Sequence, residues 1–273
     1  MKIYTKQDIY KTLKKIGLKK GDTIFVNPEF FRFGILKEAK NKRIFFNIYL
    51  NVIKKIIGAT GTIAVNTYTF NTLRDKQTFI YEKSISTSSE FSEFVRKQRG
   101  SIRSNHPVFS VTALGKNRKK ICSNNSLNNY GYNSPYHRLL KLNAKIINFG
   151  IPPVFNPILH HAEFLIGLPI YYNKLTKVKY FKKNKEIKKL YSSSVRYSYV
   201  DTIKCPKKAK LINSELIRKK ITKYSNLGAS KVYLTNSKKY FDLLIDKLSK
   251  NHFFLYPKNI NYSFFKKNQY PVK

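Results

Sequence analysis

The chain has 273 residues, 42% hydrophobic and 15% aromatic, with 54 Lys+Arg against 14 Asp+Glu and a formal net charge of +40. That length allows a core stable without disulfides or metals, and the apolar content excludes a disordered chain. The first residues lack the apolar run of a signal peptide, and no segment has the roughly 18 uninterrupted apolar residues of a spanning helix.

Thr5, with Asp8 three residues on, predicts a capped helix over 5–16, with Ile9, Leu13 and Ile16 on one face and Gly17 as its stop. Lys20-Gly21-Asp22 turns into a buried strand at 23–26, followed by a loop over 27–34. A second helix is expected over 43–57, closed by Gly58, and a second strand over 63–65. Residues 71–89 read as a long polar connection, a length that compact domains keep mainly for function. Ser88 or Ser89 caps a short helix through Phe91, Phe94 and Val95. Strands are expected at 108–114 and 145–149, then a helix opening near Ile158. Beyond Pro169 the chain turns Lys/Tyr/Ser-rich, with strand-like alternation at 195–200, a helix at 213–223, a strand at 231–235 and a helix at 237–249. Strands alternating with helices, without repeat or linker, predict one α/β domain.

The basic excess reads either as an anion-binding surface or as a lysine-rich composition in which Lys, Asn, Ile and Tyr rise together. The lysines are spread along the whole chain, and clusters such as Lys182–Lys183 and Lys188–Lys189 are broken by apolar residues. No RNP-type or zinc-finger motif accompanies them, so no specific nucleic acid is expected as a partner. Such a charge favours anionic ligands and repels polycations. The two cysteines, Cys122 and Cys205, lack metal-ligand spacing and suit a reducing cytoplasm, with a single disulfide left open.

Chemistry concentrates in Asn156-Pro157-Ile158-Leu159-His160-His161-Ala162-Glu163. On a helix, His160 and Glu163 share a face, and a carboxylate beside an imidazole fixes its tautomer and supports its protonated form. Alone, such a pair is more often a surface or capping contact. A metal reading of His160, His161 and Glu163 is weaker, because adjacent helical side chains point about 100° apart. Arg103-Ser104-Asn105-His106-Pro107 with Ser110 reads equally as a phosphate-binding block and as a turn. Arg196, in Ser194-Val195-Arg196-Tyr197, is a candidate acceptor contact in what is otherwise a plain strand.

Taken in order, these segments resemble the aminoglycoside 3-N-acetyltransferase, or antibiotic N-acetyltransferase, family. The family's "GD-t-l-vH-s-S…G" opening corresponds to Gly21-Asp22-Thr23 through Asn27 to Gly34. Its "G-TL-mP-tyt" strand corresponds to Gly61-Thr62-Ile63-Ala64-Val65-Asn66-Thr67-Tyr68-Thr69. Its "RS-HP-S…A-G" block corresponds to Arg103 through Ser110 with Ala113-Leu114-Gly115, its "G-SP" turn to Gly131 through Pro135, and its "NT-iH-aE" helix to Asn156 through Glu163. The match is good over about residues 5–170 and weak over 171–273.

The resemblance implies a single layered α/β sandwich over 1–273 and an N-acetyltransferase that uses acetyl-CoA and no metal. His160 would be the catalytic base, supported by Glu163. Phe30, Phe31 and Gly34 of the 27–34 loop, with Arg103, Ser104 and Ser110, would hold CoA. Tyr68 would line the active site, and Asn156 is a candidate acceptor contact beside the Arg196 read from the residues themselves. Three departures stand out: Asn27-Pro28-Glu29 replaces His-Ser-Ser, Pro157 replaces a threonine, and Phe79-Ile80-Tyr81 replaces Phe-Asp-Pro. Pro157 removes a hydroxyl and a backbone donor. Asp201 is the candidate for the aspartate that holds amine substrates in drug-modifying members.

At +40 the chain is expected to repel polycationic aminoglycosides and to favour a phosphate-bearing acceptor, a nucleotide- or lipid-linked amino sugar for surface polysaccharide. The competing readings are an O-acetyltransferase and a catalytically decayed scaffold that binds nucleic acid or an anionic membrane surface. A dimer is compatible with all of them.

Overall fold

The Thr5 hydroxyl accepts the Asp8 amide while the Asp8 carboxylate accepts the Thr5 amide, so both ends of a capping box are made. The computed structural model describes residues 2–74, 78–176, 178–196 and 206–256. The box starts helix α1 (Lys6–Lys15), which follows the short strand β1 (Ile3–Tyr4). Next come β2 (Thr23–Pro28), a 3-10 turn over Phe30–Phe33, β3 (Ile35–Leu36), α2 (Lys42–Ile57), β4 (Thr62–Asn66), α3 (Phe70–Arg74) and β5 (Phe79–Ile80). They are followed by α4 (Glu90–Arg96), β6 (Ile102–Arg103), β7 (Val111–Gly115), α5 (Arg118–Cys122), α6 (Pro135–Lys141), β8 (Lys145–Phe149) and α7 (Pro157–Ile166). The last third holds β9 (Tyr171–Thr176), β10 (Tyr180–Lys182), β11 (Lys185–Glu186), β12 (Tyr191–Arg196), α8 (Pro206–Arg218), β13 (Thr222–Leu227), β14 (Ser230–Asn236) and α9 (Ser237–Lys250).

The main sheet has the order β13-β14-β8-β2-β4-β7-β6, with β8, β2 and β4 parallel at its centre and antiparallel strands outside them. Alternate residues of the central strands feed two cores. Phe25, Ala64 and Ile146 pack on one face with residues of α5 to α9, while Ile24, Val26, Ile63, Val65 and Ile147 pack on the other with α1, α2 and α4. Both faces are covered, so these strands read as continuous apolar runs and the molecule is a layered α/β sandwich. The C-terminal ends of β2, β4 and β8 open on one edge, the usual place for a site in such sheets.

Several sequence expectations shift. The strand expected at 108–114 begins at Val111, because Val108 and Phe109 give their amides to His106 Nδ1 in a loop. The helix placed at 213–223 runs from Pro206 to Arg218; Lys220 then takes a positive φ and the chain enters β13. Ser89, not Ser88, caps α4, while Ser88 accepts the Tyr68 amide instead. The long polar connection contains α3 and β5, and β5 pairs with β10. The alternation at 195–200 belongs to β12 through Arg196, and its remainder lies outside the described residues, as do Cys205 and Asp201.

Candidate active site

Asn156 opens α7 in extended backbone, its Oδ1 accepting the Ile158 amide at 3.0 Å. Pro157 is therefore the first helical residue, where an amide would have no helical partner, so the proline costs the helix nothing. Gly167 closes α7 in the left-handed region at φ 72°. One face of the helix buries Ile158, Leu159, Ala162 and Glu163, and His160 is half-buried beside them.

Glu163 is completely buried and is held from several sides. His160 Nδ1 lies 2.9 Å from Oε2, and the Tyr171 hydroxyl donates to the same oxygen. The Tyr256 hydroxyl donates to Oε1. Arg196 Nη2 lies 3.6 Å from Oε2 and donates to the Tyr171 hydroxyl at 3.2 Å. The register of the β9/β12 hairpin explains the last contact, since Arg196 pairs directly opposite Tyr171. Burial opposes a charge on Glu163, but the His160 hydrogen bond, the charges of His160 and Arg196 and the Tyr171 hydroxyl hold its pKa below the usual carboxylate value. Burial also works against Arg196, and Tyr171, Tyr256 and Glu163 outweigh it and raise its pKa. With Nδ1 committed to an ionised Glu163, the imidazole presents Nε2 to a reactant, which is the arrangement of a general base.

His160 and Arg196 line a cavity of about 420 Å³ at the C-terminal edge of the parallel strands. Asn27 and Asn66 line it from the ends of β2 and β4, and Phe70, Phe109, Leu159 and Leu255 form apolar wall. No Asp or Glu lies on that wall among the described residues.

The sequence-predicted residues divide sharply. Tyr68, Asn156, His160 and Arg196 share the cavity, and Glu163 stands behind it. Arg103, Ser104 and Ser110 do not reach it. Arg103 is buried, and its donors go to Ser110 Oγ at 2.7 Å, Ser84 O at 2.6 Å and Thr67 O at 2.7 Å, with the guanidinium over the Phe79 ring. Ser104 accepts the Val111 amide, and Ser110 donates to Thr67 O. This block ties loops together, with all three guanidinium nitrogens bonded to protein acceptors. Phe30 is packed among Tyr49, Phe91 and Phe149, Phe31 is 79% exposed, and Gly34 lies where a Cβ would sit 2.1 Å from Lys2 O. None of these three lines the cavity.

Sequence reasoning missed Tyr171, Tyr256, Tyr130, Asn27 and Asn66 as site residues. Tyr256 lies in a tail with no motif and reaches Glu163 only through the tertiary fold. Asn27 was visible only as a departure from the family opening. Among the described residues no group of three His, Cys, Asp or Glu side chains is arranged to hold a metal, and no helix is long and apolar enough to cross a membrane.

A family profile described as aminoglycoside 3-N-acetyltransferase matches residues 38–249. The chain belongs to the aminoglycoside 3-N-acetyltransferase family. Aminoglycoside N(3)-acetyltransferase VII of Streptomyces paromomycinus is 23% identical over 184 residues, a match that covers 60% of this chain and 62% of that protein. The chain thus matches less than two thirds of that relative's length. The crystal structure of aminoglycoside acetyltransferase AAC(3)-Xa superposes with a TM-score of 0.76 at 18% identity, covering 91% of this chain and 93% of that one. The structure of AAC-IIIb with CoASH superposes at 0.74 and 20% identity, covering 91% and 97%. At these identities the structural likeness establishes the fold.

Proposed function

We propose that the protein is an acetyl-CoA-dependent N-acetyltransferase acting on the amino group of an amino sugar. The observation that carries this reading is the buried Glu163 holding His160 Nδ1 at 2.9 Å on the wall of the cavity. The apolar wall of Phe70, Phe109, Leu159 and Leu255 suits an acyl-pantetheine arm. Family membership and the CoASH complex of AAC-IIIb favour the same co-substrate. His160 Nε2 takes the proton of the acceptor amine as its nitrogen bonds to the acyl carbon, and returns it to the departing sulfur. Glu163 supports the imidazolium between those events, and its charge is itself favoured by His160, Arg196 and Tyr171.

The acceptor is read as a phosphate-bearing amino sugar, nucleotide- or lipid-linked, of the kind used for surface polysaccharide. Support comes from the net charge of +40, from Arg196 at the cavity and from the lack of any carboxylate on its described wall. A polycationic drug needs acidic partners there. The test is a screen of acetyl-CoA turnover across nucleotide amino sugars and kanamycin-type drugs. Efficient acetylation of the drugs with no turnover of nucleotide amino sugars contradicts the acceptor assignment.

The decayed-scaffold alternative rests on the charge and on the Asn27–Glu29 and Pro157 departures, and the assembled His160–Glu163 pair stands against it. Steeply salt-dependent binding to random DNA, without CoA affinity, supports the alternative.

A further inference from the structure

Several polar side chains on the cavity wall are tied by hydrogen bonds to other protein groups. Asn27 gives Nδ2 to Asn148 Oδ1 at 3.1 Å, and Asn156 gives Nδ2 to Pro153 O at 2.8 Å. Tyr256 donates to Glu163, and Arg196 donates to Tyr171 beside the same carboxylate. Pro157, on the same wall, has neither a hydroxyl nor an amide hydrogen to offer.

Asn66 differs. It ends β4 at the C-terminal edge of the parallel strands and lines the cavity. Its Oδ1 accepts the Tyr136 hydroxyl at 2.8 Å. That proton being spent, Tyr136 can only accept from Tyr68, 2.6 Å away. The relay Tyr68 to Tyr136 to Asn66 therefore has one direction and ends on a carbonyl oxygen. It fixes the amide so that Nδ2 is the atom left for a ligand. Tyr130, whose ring packs against that of Tyr136, has its ring centroid 5.4 Å from that of His160.

Building on the acetyltransferase reading, we propose that Asn66 Nδ2 donates a hydrogen bond to the carbonyl oxygen of the acyl group being transferred. The acceptor nitrogen uses its lone pair to form the C–N bond, and the carbonyl π pair moves onto the oxygen, where Asn66 meets the growing charge. His160 Nε2 takes the proton that the nitrogen loses. The oxygen's pair then re-forms the C=O bond and the C–S bond breaks. The sulfur leaves with that bond's pair and receives the proton from His160. A donor locked in place beforehand, in a largely apolar cavity, spends nothing on reorientation during the step.

The test combines kinetics with a spectroscopic readout. Asn66→Ala is expected to lower kcat by about 10²- to 10³-fold, with kcat/KM falling equally and CoA affinity by calorimetry unchanged. Tyr136→Phe keeps the amide and removes its anchor; from the loss of one neutral hydrogen bond, kcat is expected to fall roughly 3- to 10-fold. Carbonyl-labelled acetyl-CoA bound without acceptor is expected to show its C=O stretch at lower wavenumber on the wild type than on either variant. An unchanged kcat in Asn66→Ala with an unmoved carbonyl band overturns the proposal. So does a raised acceptor KM at unchanged kcat, which assigns Asn66 to acceptor binding. Failure of the acetyltransferase reading shows separately, as a wild-type protein that neither binds acetyl-CoA nor releases CoA, and it takes this proposal with it.

Discussion

Tyr256 donates its hydroxyl to Glu163 Oε1 across 93 residues of sequence, while Oε2 of the same carboxylate serves His160 and Tyr171. The far end of the described chain thus completes the hydrogen bonding of this buried carboxylate. Tyr256→Phe leaves one oxygen of a buried carboxylate without that donor. We expect a stability loss of ~1–3 kcal/mol in urea unfolding and a lower kcat at unchanged CoA affinity. Unaltered stability and kcat contradict the assignment.

Arg103 tests whether its block is architectural. Its three donor nitrogens satisfy Ser110 Oγ, Ser84 O and Thr67 O, a geometry that lysine cannot reproduce. Arg103→Lys is expected to cost ~2–4 kcal/mol of stability, from buried acceptors left unmet. CoA affinity in the folded variant is expected to match that of the wild type. A large loss of CoA affinity at normal stability returns Arg103 to the cofactor site.

Pro157 is expected to be tolerated. At the first position of α7 it forfeits no helical hydrogen bond, and its fixed φ suits that position. Pro157→Ala is expected to change stability by less than about 1 kcal/mol and leave kcat near the wild-type value. A marked gain in kcat from Pro157→Thr alone contradicts the view that the proline is harmless.

Two histidines set the acid limb of stability. Burial brings His106 down to about 4 from a usual 6.5, against a hydrogen bond to Ser192 O; burial does the same to His161, also to about 4. His161 Nε2 has no hydrogen-bond partner among the described residues, so protonating it there adds an unmet buried donor. Between pH 6.5 and about 4 the unfolded chain binds protons that the folded protein refuses. Stability is therefore full above that window and falls as pH falls through it, by up to ~1.4 kcal/mol per pH unit for each histidine. The depressed Glu163 adds a further loss below its ordinary value of 4.5. Urea unfolding at pH 7, 6 and 5 checks this, and a midpoint that does not move contradicts it.

The sequence disclosed what local chemistry encodes. The α1 capping box, the central strands and the i,i+3 spacing of His160 and Glu163 all follow from residues close in sequence, and the structure keeps them. Arg103 and Ser110 were misleading because a guanidinium beside a serine looks alike whether it faces a phosphate or the backbone carbonyls of a neighbouring loop; only burial separates the two. Tyr171 and Arg196 meet through the register of a hairpin in a Lys/Tyr/Ser-rich stretch with no motif. Asn66 acquires meaning only through Tyr136, 70 residues away in sequence, which holds its amide oxygen.

The most direct test of the account is CoA release from acetyl-CoA with an amino-sugar acceptor, measured on the wild type and on His160→Ala, with CoA affinity by calorimetry alongside. Turnover by the wild type, none above background by His160→Ala, and closely similar CoA affinity in the two are expected. Turnover that survives in His160→Ala contradicts it.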